Sequence, residues 1–161
     1  MNRLMHLPGH ARIWIFQANR ELLPEEEKAL SEELLAFQHS WKTHGSPLNA
    51  GVAILFSTFA IVAVDENVQA PSGCSIDKAF RLLEDFGQRN NLNFFDRLRI
   101  AWQQGDQVVS GTKDEVKAML ASRELSSDTL YFDNRIQLLS QLESDWLQPM
   151  HSGWFSGGII A

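Results

Sequence analysis

Only one cysteine, Cys74, occurs in this chain of 161 residues, so no internal disulfide can brace the fold. Residues 1–9 also lack the apolar core, about 7–15 residues long, of a secretory leader. The two absences together predict a reducing, cytoplasmic setting. Long apolar runs are missing too. The longest, residues 52–64, is broken by Ser57-Thr58 and falls short of the roughly 20 residues that span a bilayer. Basic residues are outnumbered, 14 Lys and Arg against 20 Asp and Glu, for a net charge of -6. That balance predicts neither nucleic acid nor an anionic membrane as a partner, since both select clustered cations.

None of the ten glycines is followed by lysine, so the phosphate loop G-x-x-x-x-G-K-[ST] is absent, and G-x-G-x-x-G does not occur. The five histidines are His6, His10, His39, His44 and His151. They form no H-E-x-x-H, and one cysteine forms no C-x-x-C, so no zinc site is predicted. A G-x-S-x-G elbow is lacking as well. No cofactor is predicted. Trp14, Trp41 and Trp102 fit core positions better than stacking platforms for bases.

What is present is a chain with 44% hydrophobic residues, enough to bury a core. Arg12 to Phe16 reads as a strand rich in β-branched and aromatic residues. Pro24 and the acids Glu25, Glu26 and Glu27 suit a helix first turn, and Leu30, Leu34, Phe37 and Trp41 follow as an apolar stripe. This helix is expected to run to about Thr43, stopped by His44-Gly45-Ser46-Pro47. Residues 52–56 and 59–64 read as a buried hairpin turning at Ser57-Thr58. Ser75 is the expected cap of a second helix carrying Ala79, Leu82, Leu83 and Phe86 and ending near Asn90-Asn91. Residues 98–102 supply a fourth strand. Strand, helix, hairpin, helix, strand is the order of a ferredoxin-like βαββαβ unit, so the predicted fold class is α+β with both helices on one face of the sheet.

The division is placed at 1–105 for this core and 106–161 for a small β-α-β-α appendage packed on it. The appendage contains a short strand at Val108-Val109, a capping box from Thr112 to Glu115, a strand from Thr129 to Phe132, and a last helix from about Ile136 to Trp146. The apolar tail Trp154-Phe155-Ser156-Gly157-Gly158-Ile159-Ile160 is expected to pack on the domain or on a second copy, giving a homodimer.

The candidate site follows from the hairpin register. With the turn at Ser57-Thr58, paired residues have numbers summing to about 115, which brings Ala50 near Asp65 and the segment after His44 toward that before Cys74. His10 and Gln103 are expected at the same sheet end. A thiol at a helix start, an imidazole and a carboxylate are the raw material of a nucleophile and base. Cys74 is the candidate nucleophile and His44 the base, with Asp65 the third candidate catalytic residue at that end. The backbone amides of Ser75, Ile76 and Asp77 would form a cradle for a small anionic ligand. Plainer readings stand beside these. An unpaired cysteine is often a small packing residue, Asp77 suits any helix first turn, Asp65-Glu66 suits a solvated strand end, and His44 beside Gly45 suits a helix terminator.

The residues Trp41-x-x-His44-Gly45, Asp65-Glu66, Ser72-Gly73-Cys74-Ser75-Ile76-Asp77-Lys78, Phe95-Asp96-Arg97 and Asp128-Thr129 resemble a family of short bacterial proteins often labelled "ABC transporter ATPase". The likeness covers nearly the whole chain, and the missing phosphate loop contradicts that label. The chain departs from the family pattern at His151-Ser152-Gly153-Trp154, where the serine and tryptophan are not adjacent. Residues 109–132 look similar to the helix-and-strand half of glycine-tyrosine-phenylalanine-type adaptor modules, a resemblance that implies binding of proline-rich peptides through aromatic residues. Two functions are therefore carried forward: a small-anion or thiol-based site around Cys74, and a non-catalytic interaction or scaffold protein acting through the C-terminal appendage.

Overall fold

The computed structural model describes residues 2–158 and is a mixed α+β structure with open antiparallel sheets. Two compact units make up the chain. The first comprises the residues up to Phe95 together with 137–140, and the second comprises 96–136 and the chain from Gln141 onward. The strand expected to complete the first sheet thus lies beyond the division.

The first unit holds β1 (Arg12–Gln17), α1 (Pro24–Ser40), the two-residue strands β2 (Lys42–Thr43) and β3 (Ser46–Pro47), β4 (Ala50–Leu55), β5 (Phe59–Val64) and α2 (Gly73–Asn90). Its main sheet has the order β1-β5-β4, with β5 antiparallel to both neighbours and buried along its whole length. The β4–β5 pairs, Ala50 with Val64 through Leu55 with Phe59, lie within one residue of the register read from the sequence. β1 and β4 are therefore parallel to each other with β5 inserted between them, a split βαβ. Alternation along the strands sends Phe16, Val52, Val62 and Val64 to one face, where they pack with Leu30, Leu34 and Trp41 of the α1 region and with Leu83 and Phe86 of α2. Both helices cover that face.

The ferredoxin-like order itself is not confirmed. The fourth run forms β6 (Ile100–Gln104) in the second unit's sheet instead of lying beside β1. The free edge of β1 is taken by a later segment. Ile13 N–H donates to Gln137 O, Leu139 N–H to Ala11 O and Ser140 N–H to Gly9 O, each at 2.9 Å. An exposed edge carries unpaired main-chain groups that some extended segment must satisfy, and apolar pattern alone does not say which.

Helix ends differ from expectation for local reasons. α1 stops at Ser40, three residues short of Thr43, because Lys42–Thr43 pairs with Ser46–Pro47 in a hairpin. Its two turn residues, His44 at φ 48° and Gly45 at φ 80°, both occupy the left-handed region required by a type I′ turn. α2 is capped by Ser72 rather than Ser75. Ser75 N–H donates to Ser72 Oγ at 3.2 Å, and the Ser75 hydroxyl donates to Ser72 O at 2.8 Å. The far end closes at Asn91, φ 54°, with Leu92 N–H donating to Gly87 O at 2.8 Å. A Cβ on Gly87 would lie 2.5 Å from Leu92 O, a backbone atom that cannot yield by a side-chain rotation. Alanine gains about 1 kcal/mol of helix propensity over glycine, but overpacking of this kind costs about 1–3 kcal/mol. Gly87→Ala is therefore expected to be net destabilising in urea titration, whereas a raised midpoint would mean that the cap relaxes freely.

The second unit holds β6, β7 (Gln107–Gly111), α3 (Lys113–Ala121), β8 (Leu130–Phe132), α4 (Gln141–Ser144) and β9 (Leu147–Pro149), with sheet order β7-β6-β8-β9. The Thr112–Glu115 capping box forms, Thr112 N–H reaching the Glu115 carboxylate at 2.6 Å and Glu115 N–H the Thr112 hydroxyl at 3.2 Å. Ile100, Trp102, Val116, Leu125, Tyr131, Met150 and Phe155 form the core. The last helix expected over Ile136–Trp146 shrinks to the four residues of α4, because 137–140 is drawn out along β1 and Trp146 O accepts from Asp133 N–H at 2.6 Å. In the tail Phe155 is buried and Trp154 exposed. Ile159 and Ile160 lie outside the described residues.

Candidate functional site

The expected site lies at the end of the first unit's sheet where β4 begins and β5 ends. Asp65 N–H donates to Asn49 O at 2.9 Å, extending the β4–β5 ladder by one residue. Trp41, just past α1, donates its indole N–H to Ser75 O at 2.7 Å, and Ser72 N–H donates to Thr43 Oγ1 at 3.1 Å. The segments bearing His44 and Cys74 are thus stitched side by side.

Their side chains are not joined. Both are exposed, and among the described residues neither makes a hydrogen bond or an ion pair. His44 serves the β2–β3 turn, while Cys74 stands in the first turn of α2. The expected amide cradle is largely used by the helix itself. Ser75 N–H goes to the Ser72 hydroxyl and Ile76 N–H to Ser72 O at 3.0 Å, and Asp77, four residues past Gly73, lies inside the helical ladder. Gly73 and Cys74 hold the first-turn N–H groups that helix geometry leaves over.

Asp65 finds a different imidazole. It is buried, and its Oδ1 lies 3.2 Å from His10 Nε2 while accepting the Asn67 N–H at 3.1 Å. Asn67 Nδ2 lies 2.8 Å from the same His10 nitrogen. A neutral Nε2 accepts from the Asn67 amide, whereas a protonated one donates to Asp65, so one ring nitrogen serves both partners according to its protonation. The pair has the carboxylate-and-imidazole form of a general base, but no thiol is among its hydrogen-bond partners. Its visible work is to hold the 65–67 turn against the chain entering β1.

Sequence reasoning missed Asn67, whose signal is its place two residues after Asp65, the spacing of an Asx turn. It also missed the edge groups on β4, where His6 Nε2 and Gln38 Nε2 lie 3.2 and 2.9 Å from Ala50 O. Gln103 belongs to the second unit. Among the described residues no group of three His, Cys, Asp or Glu side chains is placed to hold a metal ion, and no helix is long and apolar enough to cross a membrane.

The second unit presents a surface instead. On paired antiparallel strands, directly opposite residues share a face. Leu130 opposes Pro149 and Phe132 opposes Leu147, so these four apolar side chains line one face of β8–β9, while Tyr131 between them points into the core. Leu130 is 40% and Leu147 36% exposed, whereas Phe132 is buried at 3% and Pro149 is half-buried. Phe132 packs edge-on against Trp146 with ring centres 4.9 Å apart. A polar clasp secures the strand ends. Arg135 donates to both Asp133 carboxylate oxygens at 2.7 and 2.6 Å, the Tyr131 hydroxyl donates to Asp133 at 3.2 Å, and Trp146 Nε1 donates to Asn134 at 2.9 Å. Burial pushes the Asp133 carboxyl up, but the Arg135 hydrogen bonds and charge more than offset it and leave it below its ordinary range. Burial, reinforced by the Asp133 charge, raises the Tyr131 phenol.

No protein-family model matches the chain, and neither does any curated protein or solved structure.

Proposed function

We propose that this protein is a non-catalytic interaction or scaffold protein whose second unit supplies the contact surface. The observation that carries this reading is the pair Leu130 and Leu147, substantially open to solvent on one face of β8–β9, on strands whose ends are tied by Asp133 N–H to Trp146 O and by Trp146 Nε1–H to Asn134. The likeness of residues 109–132 to peptide-binding adaptor modules supports it and suggests an extended, proline-rich peptide as partner. Titration of such peptides against the full chain, followed by tryptophan fluorescence, tests the proposal. Saturable binding abolished by Leu130→Asp with the fold retained is expected, while binding to neither chain, or binding that survives the substitution, overturns it. A second copy is the competing occupant, and a concentration-dependent dimer lost in the same variant would identify it.

The second reading, a thiol-based or small-anion site, is favoured by the exposure of Cys74 in the first turn of α2 beside the leftover N–H groups. Iodoacetamide is expected to modify the folded wild type and not Cys74→Ser. For this reading to stand, the variant must also lose a measurable anion affinity, read by calorimetry with inorganic phosphate. Equal affinity, or none in either protein, leaves Cys74 as an exposed thiol without a role. Placement among the short bacterial proteins rests on the quoted residues alone and brings no activity with it.

A further inference from the structure

We draw no further inference here: the strongest candidate, the buried indole N–H of Trp102 within the core side-chain cluster of the second unit, has no hydrogen-bond partner among the described residues, and nothing in the structure shows what it would donate to.

Discussion

Phe86→Ala is expected to cost about 3–5 kcal/mol of stability, the largest effect of any single truncation considered. Phe86 is fully buried on α2, in the cluster that joins Leu30 and Leu34 to the sheet residues Val52 and Val62. Removing its ring forfeits the transfer free energy of the side chain and leaves a cavity between two helices and a sheet that cannot all close in on it. Leu34→Ala belongs to the same class, at about 2–5 kcal/mol. Phe37→Ala does not, although it shares the sequence stripe with Leu34. Phe37 is only partly buried and rests on Trp41 with ring centres 4.8 Å apart, so its truncation is expected to cost less than either. Urea midpoints at constant slope measure all three. Equal losses for Leu34→Ala and Phe37→Ala would show that the stripe is buried evenly and that the assigned core face is wrong.

The second large effect concerns Glu26, which is 92% buried by its 8% exposure yet carries a charge. Its carboxylate accepts from Arg20 Nη1 and Nη2 at 2.8 and 2.9 Å and from Leu23 N–H at 2.8 Å, while Arg20 also donates to Asn90 O at 2.8 Å. Glu26 thereby caps α1 and holds Arg20 in the loop after β1, and Arg20 in turn reaches the last residue of α2. Glu26→Ala leaves Arg20 with carbonyl acceptors alone and without its counter-charge, and takes from the Leu23 N–H its acceptor. Breaking a fully buried pair costs about 3–5 kcal/mol, and the partial exposure of Arg20 brings the expectation to about 2–3 kcal/mol. The Arg20 hydrogen bonds, assisted by the Leu23 N–H and the Arg20 charge, outweigh burial and hold the Glu26 carboxyl below its ordinary value of 4.5. A carboxyl depressed in the folded state adds stability that is fully present above the unfolded value and disappears as pH falls through the folded one. The wild type is thus expected to lose its advantage over Glu26→Gln on acidification below about 4.5, in denaturation midpoints followed from neutral to acid. A constant gap between the two proteins across that range would remove the ion pair from the account.

Much of the local structure was legible because its causes lie within a few residues. The Thr112–Glu115 box, the proline and acids opening α1, and the hairpin register each depend on neighbours along the chain, and each appears as read to within about a residue. That register also brought the segments after Trp41 and before Cys74 together, a non-local fact derived from a local turn. Glu26 shows the limit. Its place three residues after Leu23 marks it as the acid that can cap the helix start, but nothing local shows that it, and not Glu25 or Glu27, receives the Arg20 fork.

By itself, then, the sequence determined that this is an α+β chain with one free thiol, no phosphate loop and two helices on one face of a sheet, since these follow from composition, short-range capping and strand alternation. Only the tertiary structure decided which extended segment closes the edge of β1. The main-chain groups of 137–140 and of residues 98–102 are chemically alike, so the choice falls to chain path and packing and not to side-chain pattern. It likewise decided that Asp65 pairs with His10 and not with His44. Both imidazoles belong to the same sheet end, but His44 is spent on a left-handed turn that leaves it in solvent, whereas His10 enters β1 beside the buried carboxylate.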